Sequence, residues 1–232
     1  EVVAGIHVEG PFISPRDGYR GAHPADAIVP ADESIAARLI DAGQGLVRIL
    51  TLAPEHDAGG RVTRLATSQG IVVAAGHTDA SLDDLRSAID AGLSMVTHLG
   101  NGCPMILPRH DNIIQRALHL RDHLWLSFIA DGVHIPFHAL RNYLDLALPG
   151  GRCLVTTDAM SAAGLGPGIH RISRWTVEVK EDLAAWAPDG SHLLGSALSM
   201  PRAVDNLLHK AGLDAAAVRM LTETNPRKSV GL

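Results

Sequence analysis

The sequence predicts an α/β protein built as a (β/α)8 TIM-type barrel, in which parallel strands alternate with helices around a closed sheet. Short and nearly continuous apolar strands recur along the chain, and each is followed by an amphipathic helix. Strands of this kind are typical of a parallel sheet that is buried on both faces. The pattern repeats about six or seven times, which is too often for a small open sheet and nearly enough for the barrel.

The boundaries of these units follow from turn and capping residues. The expected strands cover 2–9, 46–55, 71–78, 94–101, 124–134 and 152–160, and the expected helices cover 32–43, 60–70, 82–92, 112–120, 137–148, 201–211 and 214–224. Ser81 is a typical helix start, since it can cap a first turn in which the helix dipole favours Asp83 and Asp84. An open doubly wound sheet is the alternative, and the missing Gly-rich turn after the first strand disfavours it.

We expect one barrel domain over residues 1–232, with a β-hairpin insertion at about 171–192 that returns to a short strand at 193–197. The chain has no initiator Met and enters its first strand almost at once. This start suggests a barrel that lacks its first strand in this chain. An incomplete barrel would expose unpaired strand edges, so a longer reading frame is expected to supply the missing strand.

Composition argues against several classes of function. The 232 residues carry a net charge of −5 and no extended basic run, so no nucleic-acid partner is expected. No apolar stretch reaches membrane-spanning length, so no membrane partner is expected either. Cys103 and Cys153 follow no zinc or disulfide spacing, and reduced thiols in a cytoplasmic protein are the plain interpretation. The 13 histidines are the unusual feature, because histidine is the commonest metal ligand.

Polar residues recur at the points where the apolar strands end. They are Glu9, Glu55, His77, His98, Asp131 with His134, and Asp158. In a parallel barrel the carboxyl ends of all strands lie on one face, and active sites of such barrels are built there. A single histidine at a strand end is most often structural, but recurrence along the chain indicates a functional face.

Glu9, His77 and His98 form a set that suits a catalytic zinc ion, with three protein ligands and an open position for water. Such a metal acts as a Lewis acid and lowers the pKa of its bound water. It would also give Glu9 a positive partner, without which a carboxylate at this place is costly to desolvate. Fe2+, Co2+ and Mn2+ accept the same donors, so zinc is the favoured ion among several. Asp158 is the candidate for proton transfer, and a structural Asp that orients the backbone is the alternative.

Eight segments spread over nearly the whole chain are more specific together than any single motif. In chain order they are HVEGPF (7–12), GAHP (21–24), TLAPE (51–55), AGHTDA (75–80), THLGN (97–101), ADGVH (130–134), TDAMSAAG (157–164) and LGSALSM (194–200). In this order they resemble the N-acetylglucosamine-6-phosphate deacetylase family of the amidohydrolase superfamily. The closing TNPRKSVGL (224–232) resembles the last barrel helix of that family.

The resemblance implies an enzyme of amino-sugar catabolism that hydrolyses the acetamide of N-acetylglucosamine-6-phosphate to glucosamine-6-phosphate and acetate. It matches Glu9, His77 and His98 to the ligands of one divalent metal ion and Asp158 to the catalytic acid and base. The residues that it matches to substrate binding are Ala22, His23, Asn101, Gly102, Arg109, His134, Leu194 and Gly195. Arg109 would bind the phosphate, whose geometry suits a guanidinium fork. The resemblance further implies a homodimer in which the neighbour lends part of the phosphate site.

The chain also departs from the family pattern. The loop NGCP (101–104) stands where the family has Asn-Ala-Met-Pro, which leaves sugar and phosphate specificity more open than the metal chemistry. The small β-sandwich and first barrel strand of the family are missing from this chain. Two alternatives therefore stay open: another amidohydrolase, such as an N-acyl amino-acid or cyclic amide hydrolase, and a sugar-phosphate-binding relic without catalysis.

Overall fold

The computed structural model describes residues 3–172 and 175–232. Its strands are β1 Ile6–Glu9, β2 Val47–Leu52, β3 Val72–Ala75, β4 Met95–Val96, β5 Trp125–Ile129, β6 Cys153–Thr156, β7 Gly168–Ile172, β8 Trp175–Val179, β9 Ala184–Trp186 and β10 Leu193–Ser196. Its α-helices are α1 Glu33–Ala42, α2 Arg61–Ser68, α3 Leu82–Asp90, α4 Ile113–His119, α5 Phe137–Ala147, α6 Met200–His209, α7 Ala215–Arg219 and α8 Asn225–Ser229. The chain divides into two compact units, one up to Leu126 together with Arg227–Leu232, the other Ser127–Pro226.

The strands β1 to β6 form one parallel sheet in the order of the chain, with a helix in each connection. β1 and β2 pair from Ile6 opposite Val47 to Glu9 opposite Thr51, with a register shift after Ile6. Parallel strands need such crossover connections, and in a barrel they follow one another in sequence. The predicted fold class is therefore confirmed, in the form of a six-stranded half-barrel.

The inner strands are apolar because both of their faces are covered. Leu50, Val73 and Leu126, one from each of β2, β3 and β5, are at most 1 % exposed. Such continuous apolar runs are expected of a parallel sheet that is covered by helices on its outer face and filled by side chains on its inner face. β1 stands first in the sheet order, and Ile6 is 40 % exposed there.

Helix starts follow the predicted capping chemistry. The hydroxyl of Ser81 accepts a hydrogen bond from the backbone N of Asp84, and the Asp84 carboxylate accepts one in return from the backbone N of Ser81. Single side-chain caps begin α1, α4, α6 and α7, at Asp32, Asn112, Ser199 and Asp214. In the described parts of the chain, no helix combines the length and the apolar character that crossing a membrane requires.

The strands are shorter than predicted. β4 keeps two residues of the predicted 94–101, and β2 ends at Leu52, before a short 3-10 turn at Pro54–His56. The apolar pattern runs past the strand ends because the connecting loops are buried as well, as Ala53 and Leu99 show. Val2, at the start of the first predicted strand, lies outside the described residues.

The segment that was expected to be a β-hairpin is larger than predicted. β7 to β10 form a separate antiparallel sheet in the order β10-β9-β8-β7, around a small core of Ala162, Val177, Val179, Ala185 and Ala197. The short strand expected at 193–197 exists as β10, which pairs with β9 in this sheet and makes one parallel bridge, from Ser196 to Ala159 just after β6. Residues 173 and 174 of the expected hairpin lie outside the described residues. The single barrel domain over 1–232 stays a prediction.

Candidate metal centre

Three predicted ligands meet at the carboxyl edge of the parallel sheet. Glu9 is the last residue of β1, His77 follows β3 by two residues, and His98 follows β4 by two residues. Parallel strands end on the same edge, so these side chains converge although they are far apart in the sequence. One ligand atom from each residue lies within 4.8 Å of the others, and both histidines are buried.

The Oε1 atom of Glu9 is shared by the two imidazoles. It lies 2.7 Å from Nε2 of His98 and 3.3 Å from Nε2 of His77. Two atoms bound tetrahedrally to zinc at about 2.0–2.1 Å would be roughly 3.3–3.4 Å apart. The two rings are nearly perpendicular, with centroids 4.9 Å apart, so their Nε2 atoms converge without stacking.

The Nδ1 atom of His77 determines the tautomer of that ring. It lies 2.8 Å from the backbone oxygen of Tyr19. A carbonyl oxygen only accepts hydrogen bonds, so Nδ1 carries a proton and donates it. With Nδ1 donating, Nε2 is the nitrogen that is left to offer a lone pair to a metal ion beside Glu9. A lone pair and a carboxylate oxygen 3.3 Å apart repel each other unless a positive charge joins them, so the donor set fits a divalent ion.

The backbone is strained at both histidines. His77 has φ 52° and His98 has φ 31°. Residues with a β-carbon rarely adopt this region, and a residue held there costs about 1–3 kcal/mol. The backbone N of Ser14 donates to the oxygen of His77, and that of Asn101 donates to the oxygen of His98, each at 2.9 Å. The surrounding loops thus hold both ligands in conformations that they would not adopt alone.

Two glycines let neighbouring loops approach the His77 ring. A β-carbon on Gly102 would lie 2.8 Å from Nδ1, and one on Gly21 would lie 3.0 Å from Cε1. Both glycines also have positive φ angles, of 60° and 55°. The NGCP loop therefore departs from the family pattern at a position where the packing around His77 favours glycine.

The charge of Glu9 follows from its surroundings. Burial would raise the pKa of this carboxyl group, but the neighbouring imidazoles of His23, His77 and His98 lower it further than burial raises it. The net result is a pKa well below the ordinary value for Glu. Glu9 is therefore anionic at neutral pH.

Of the predicted substrate residues, His23 places a titratable side chain beside the candidate ligand Glu9. Its Nε2 is 3.7 Å from Oε2 of Glu9, on the side of the carboxylate away from Oε1. Ala22 precedes it in the same loop and is half-buried. The side chain of Asn101 donates to the backbone oxygen of His98 at 3.3 Å. Asn101 therefore helps to hold the backbone of this candidate ligand.

Arg109 lies in an exposed loop between β4 and α4. The same loop carries Met105 and Ile106, which are 101 % and 91 % exposed. The structure therefore leaves the Arg109 guanidinium accessible to solvent. A phosphate could reach it without any rearrangement of buried side chains.

The remaining predicted site residues lie in the second unit. Asp158 follows β6, is exposed and has φ 48°, in the same strained region as the two candidate histidine ligands. His134 has its Nδ1 2.5 Å from Oδ2 of Asp131. Burial would raise the pKa of Asp131, but the bond with His134 brings it below its ordinary value. Leu194 and Gly195 lie in β10.

Sequence reasoning missed the groups that hold the ligands in place. Glu55, grouped above with the strand ends, accepts hydrogen bonds from the hydroxyl of Thr78 and, at 2.8 Å, from the backbone N of Asp79. It therefore supports the turn after His77. The carbonyl of Tyr19 leaves no sequence signal, since any residue offers a backbone oxygen.

Known proteins resemble the chain over nearly its whole length, although no family model matches it. The N-acetylglucosamine-6-phosphate deacetylase of Bacillus subtilis is 33 % identical over 229 residues, and that of Homo sapiens is 36 % identical over 239 residues. These alignments cover 98 % and 99 % of this chain. A structure of the Mycobacterium smegmatis N-acetyl-D-glucosamine-6-phosphate deacetylase, in complex with N-acetyl-D-glucosamine-6-phosphate, is 32 % identical and covers 98 % of this chain and 60 % of that one, with a TM-score of 0.86.

The chain is a homologue of the N-acetylglucosamine-6-phosphate deacetylases. The resemblance predicted from the sequence is thereby confirmed. The chain spans 56 % of the length of each of these two curated deacetylases. An N-acetylgalactosamine-6-phosphate deacetylase of Escherichia coli O157:H7 is also similar, at 29 % identity over 99 % of this chain and 59 % of that relative.

Replacing Glu9 should remove the anionic ligand from the candidate centre. We expect Glu9→Gln to weaken Zn2+ binding by more than about 100-fold, because losing an outer-shell partner alone costs 10–100-fold. Competition with a chromophoric chelator measures this affinity. Glu33→Gln changes an exposed carboxylate in α1 and should bind zinc like the wild type. Equal zinc affinity in the two variants would contradict the ligand assignment.

Proposed function

We propose that the protein containing this chain is a metal-dependent deacetylase that converts N-acetylglucosamine-6-phosphate to glucosamine-6-phosphate and acetate. The observation that carries the proposal is the convergence of Glu9, His77 and His98 in a homologue of such deacetylases. The Nδ1 bond of His77 and the anionic state of Glu9 support a metal ion at this place. Amide hydrolysis at neutral pH needs a polarised carbonyl group and an activated water, and a bound metal ion can supply both.

The proposed cofactor is one divalent ion, with Zn2+ favoured over Fe2+, Co2+ and Mn2+ for a donor set of one carboxylate and two imidazoles. When bound, the ion supplies Lewis acidity and an activated water. Glu9, His77 and His98 would hold it. His23 would donate a hydrogen bond to the acetamide oxygen and so stabilise the charge that develops there.

Asp158 is the proposed acid and base. Its carboxylate would accept a proton from the attacking water as the new C–O bond forms. It would then return the proton to the amide nitrogen as the C–N bond breaks, so that the amine leaves without a negative charge. Its position after β6 and its strained backbone support a functional role.

The proposed substrate is a small amino-sugar phosphate. Arg109 would bind the phosphate, and its exposure supports this role because the guanidinium is accessible to an incoming ligand. Residues proposed to line the rest of the substrate site are Ala22, Asn101, Gly102, His134, Leu194 and Gly195. The bond between His134 Nδ1 and Asp131 supports a fixed imidazole whose other nitrogen can contact a ligand.

We further propose a homodimer and a cytoplasmic location. The exposed pair Met105 and Ile106 beside Arg109 supports contact with a second subunit, because exposed apolar side chains of this size mark association surfaces. Burial raises the pKa values of Cys103 and Cys153 to about 11, so both thiols are protonated and unreactive. Such thiols fit a reducing compartment.

The function is tested by acetate release from the zinc-loaded full-length protein. We expect release from N-acetylglucosamine-6-phosphate. Unphosphorylated N-acetylglucosamine and N-acetylgalactosamine-6-phosphate are assayed in parallel for comparison. Asp158→Asn should lower kcat about 100- to 10,000-fold while zinc stays bound, since this is the usual contribution of a general acid or base.

Asp205→Asn provides the matched control, because it neutralises a carboxylate on the surface of α6 in the same unit. This variant should release acetate at the wild-type rate. A near-normal rate for Asp158→Asn would disprove the acid and base role. Release from none of the three sugars would disprove the proposed substrate class.

Arg109 separates the proposed substrate from that of another amidohydrolase. We expect Arg109→Ala to raise KM for N-acetylglucosamine-6-phosphate roughly 10- to 100-fold, because a hydrogen bond to a charged group contributes about 1.5–3 kcal/mol. KM for the unphosphorylated sugar should not change. Arg38→Ala, on the exposed face of α1, is the control. If KM for the phosphorylated sugar is the same in both variants, the phosphate assignment is wrong.

A further inference from the structure

We propose that Asp79 and Arg116 are positioning residues for His77, joined in an ion-pair bridge that keeps its Nδ1 on the carbonyl of Tyr19 and its Nε2 toward Glu9. The proposal rests on the proposed function, because it assigns these residues to the metal centre. Neither side chain is a candidate ligand, and both act through other groups. The bridge links three segments: the loop after β1, the turn after His77 and the first turns of α4.

The Asp79 carboxylate holds the loop that supplies the carbonyl acceptor. It lies 2.8 Å from Nη1 of Arg16, and the hydroxyl of Tyr19 donates to it. Burial and this hydrogen bond raise the pKa of Tyr19 to about 12. The Arg16 guanidinium also lies 4.9 Å from the centre of the Tyr19 ring. Tyr19 is thus held by its side chain while its backbone oxygen accepts from His77.

Arg116 holds the turn that carries His77. Its Nη1 donates to the backbone oxygen of Ala80 at 3.0 Å and lies 3.5 Å from Oδ1 of Asp79. Its Nε donates to Oδ1 of Asp111 at 2.6 Å. One planar guanidinium therefore ties the His77 turn to the end of the loop that contains Arg109, which a lysine could not do with the same geometry.

The partial burial of the bridge makes it stronger than an ordinary surface pair. The Arg116 side chain is 15 % exposed and that of Asp79 is 28 % exposed. Exposed ion pairs contribute little because water screens them and their side chains are mobile. Here contacts on several sides fix both side chains: Arg16 and Tyr19 contact Asp79, and Ala80 and Asp111 contact Arg116.

Loss of the bridge should release the Tyr19 carbonyl from Nδ1. His77 would then populate the tautomer with the proton on Nε2, in which the nitrogen that faces Glu9 has no lone pair for a metal. Outer-shell partners of metal-binding histidines fix tautomer and ring direction, and their loss costs about 10- to 100-fold in metal affinity. The strained backbone of His77 makes the residue dependent on such support, because φ 52° is unfavourable without it.

The test compares Asp79→Asn and Arg116→Gln with Asp83→Asn in the full-length protein. Asp83 is also acidic and follows four residues later, but its side chain is 92 % exposed and contacts Arg86 within α3. In the metal-free protein, 15N chemical shifts of His77 report which ring nitrogen carries the proton. Chelator competition gives the zinc affinity, and urea unfolding gives the stability of each variant.

We expect Nδ1 of His77 to be protonated in the wild type and in Asp83→Asn, because it donates to the carbonyl of Tyr19, and to be protonated only in part in the two bridge variants. Zinc affinity should fall about 10- to 100-fold in the bridge variants alone, at an unchanged unfolding midpoint. Unchanged tautomer and affinity in the bridge variants would overturn the proposal. A loss of affinity that only parallels a loss of stability would overturn it as well.

If a bridge variant does not fold, Arg116→Lys decides instead, because it keeps the charge and removes the planar fork. The tautomer mixture and a weaker zinc affinity are expected there too, and wild-type values would overturn the proposal. A wild type that binds no zinc would refute the proposed function. The tautomer comparison in metal-free protein would still decide the positioning role.

Discussion

The Glu9 carboxylate meets Nε2 of both His77 and His98 through one oxygen atom, and this arrangement needs a positive charge to be stable. The carbonyl of Tyr19 accepts the only proton of a neutral His77 ring, so the ring turns a lone pair toward Glu9. An anion and a lone pair at this distance repel each other in the absence of a cation. The requirement for a cation explains why an apolar strand ends in a half-buried carboxylate.

The parallel sheet makes this arrangement possible. Its strands deliver residues from distant parts of the sequence to one edge, and the loops beyond that edge fix their directions. This placement has an energetic cost in backbone strain, because His77 and His98 have positive φ angles. Bonds from Ser14 and Asn101, the close approach of Gly21 and Gly102, and the contacts around Asp79 offset that cost.

The convergence of Glu9, His77 and His98 could be predicted from the sequence because it follows two simple patterns. Apolar strands show where the sheet is, and the polar residue after each strand shows what reaches its edge. The supporting groups follow no such pattern. The acceptor on Tyr19 is a backbone atom, and the bridge between Asp79 and Arg116 depends on how a loop and a helix pack.

The small antiparallel sheet shows the same limit in the fold. The sequence predicts a short strand at 193–197 after the inserted segment, and β10 is a strand. The pattern does not say which strand will be its neighbour, because both a barrel and a separate sheet bury one face of it. Pairing with β9 is decided by the core around Val177 and Ala185, which only the folded chain brings together.

In the proposed metal centre, Glu9, His77 and His98 hold one divalent ion. X-ray absorption at the zinc edge of the loaded full-length protein identifies the atoms bound to the metal. We expect two imidazole nitrogens at about 2.0–2.1 Å and a carboxylate oxygen at about 2.0–2.2 Å. A first shell that contains sulfur, or that lacks imidazole, would contradict it.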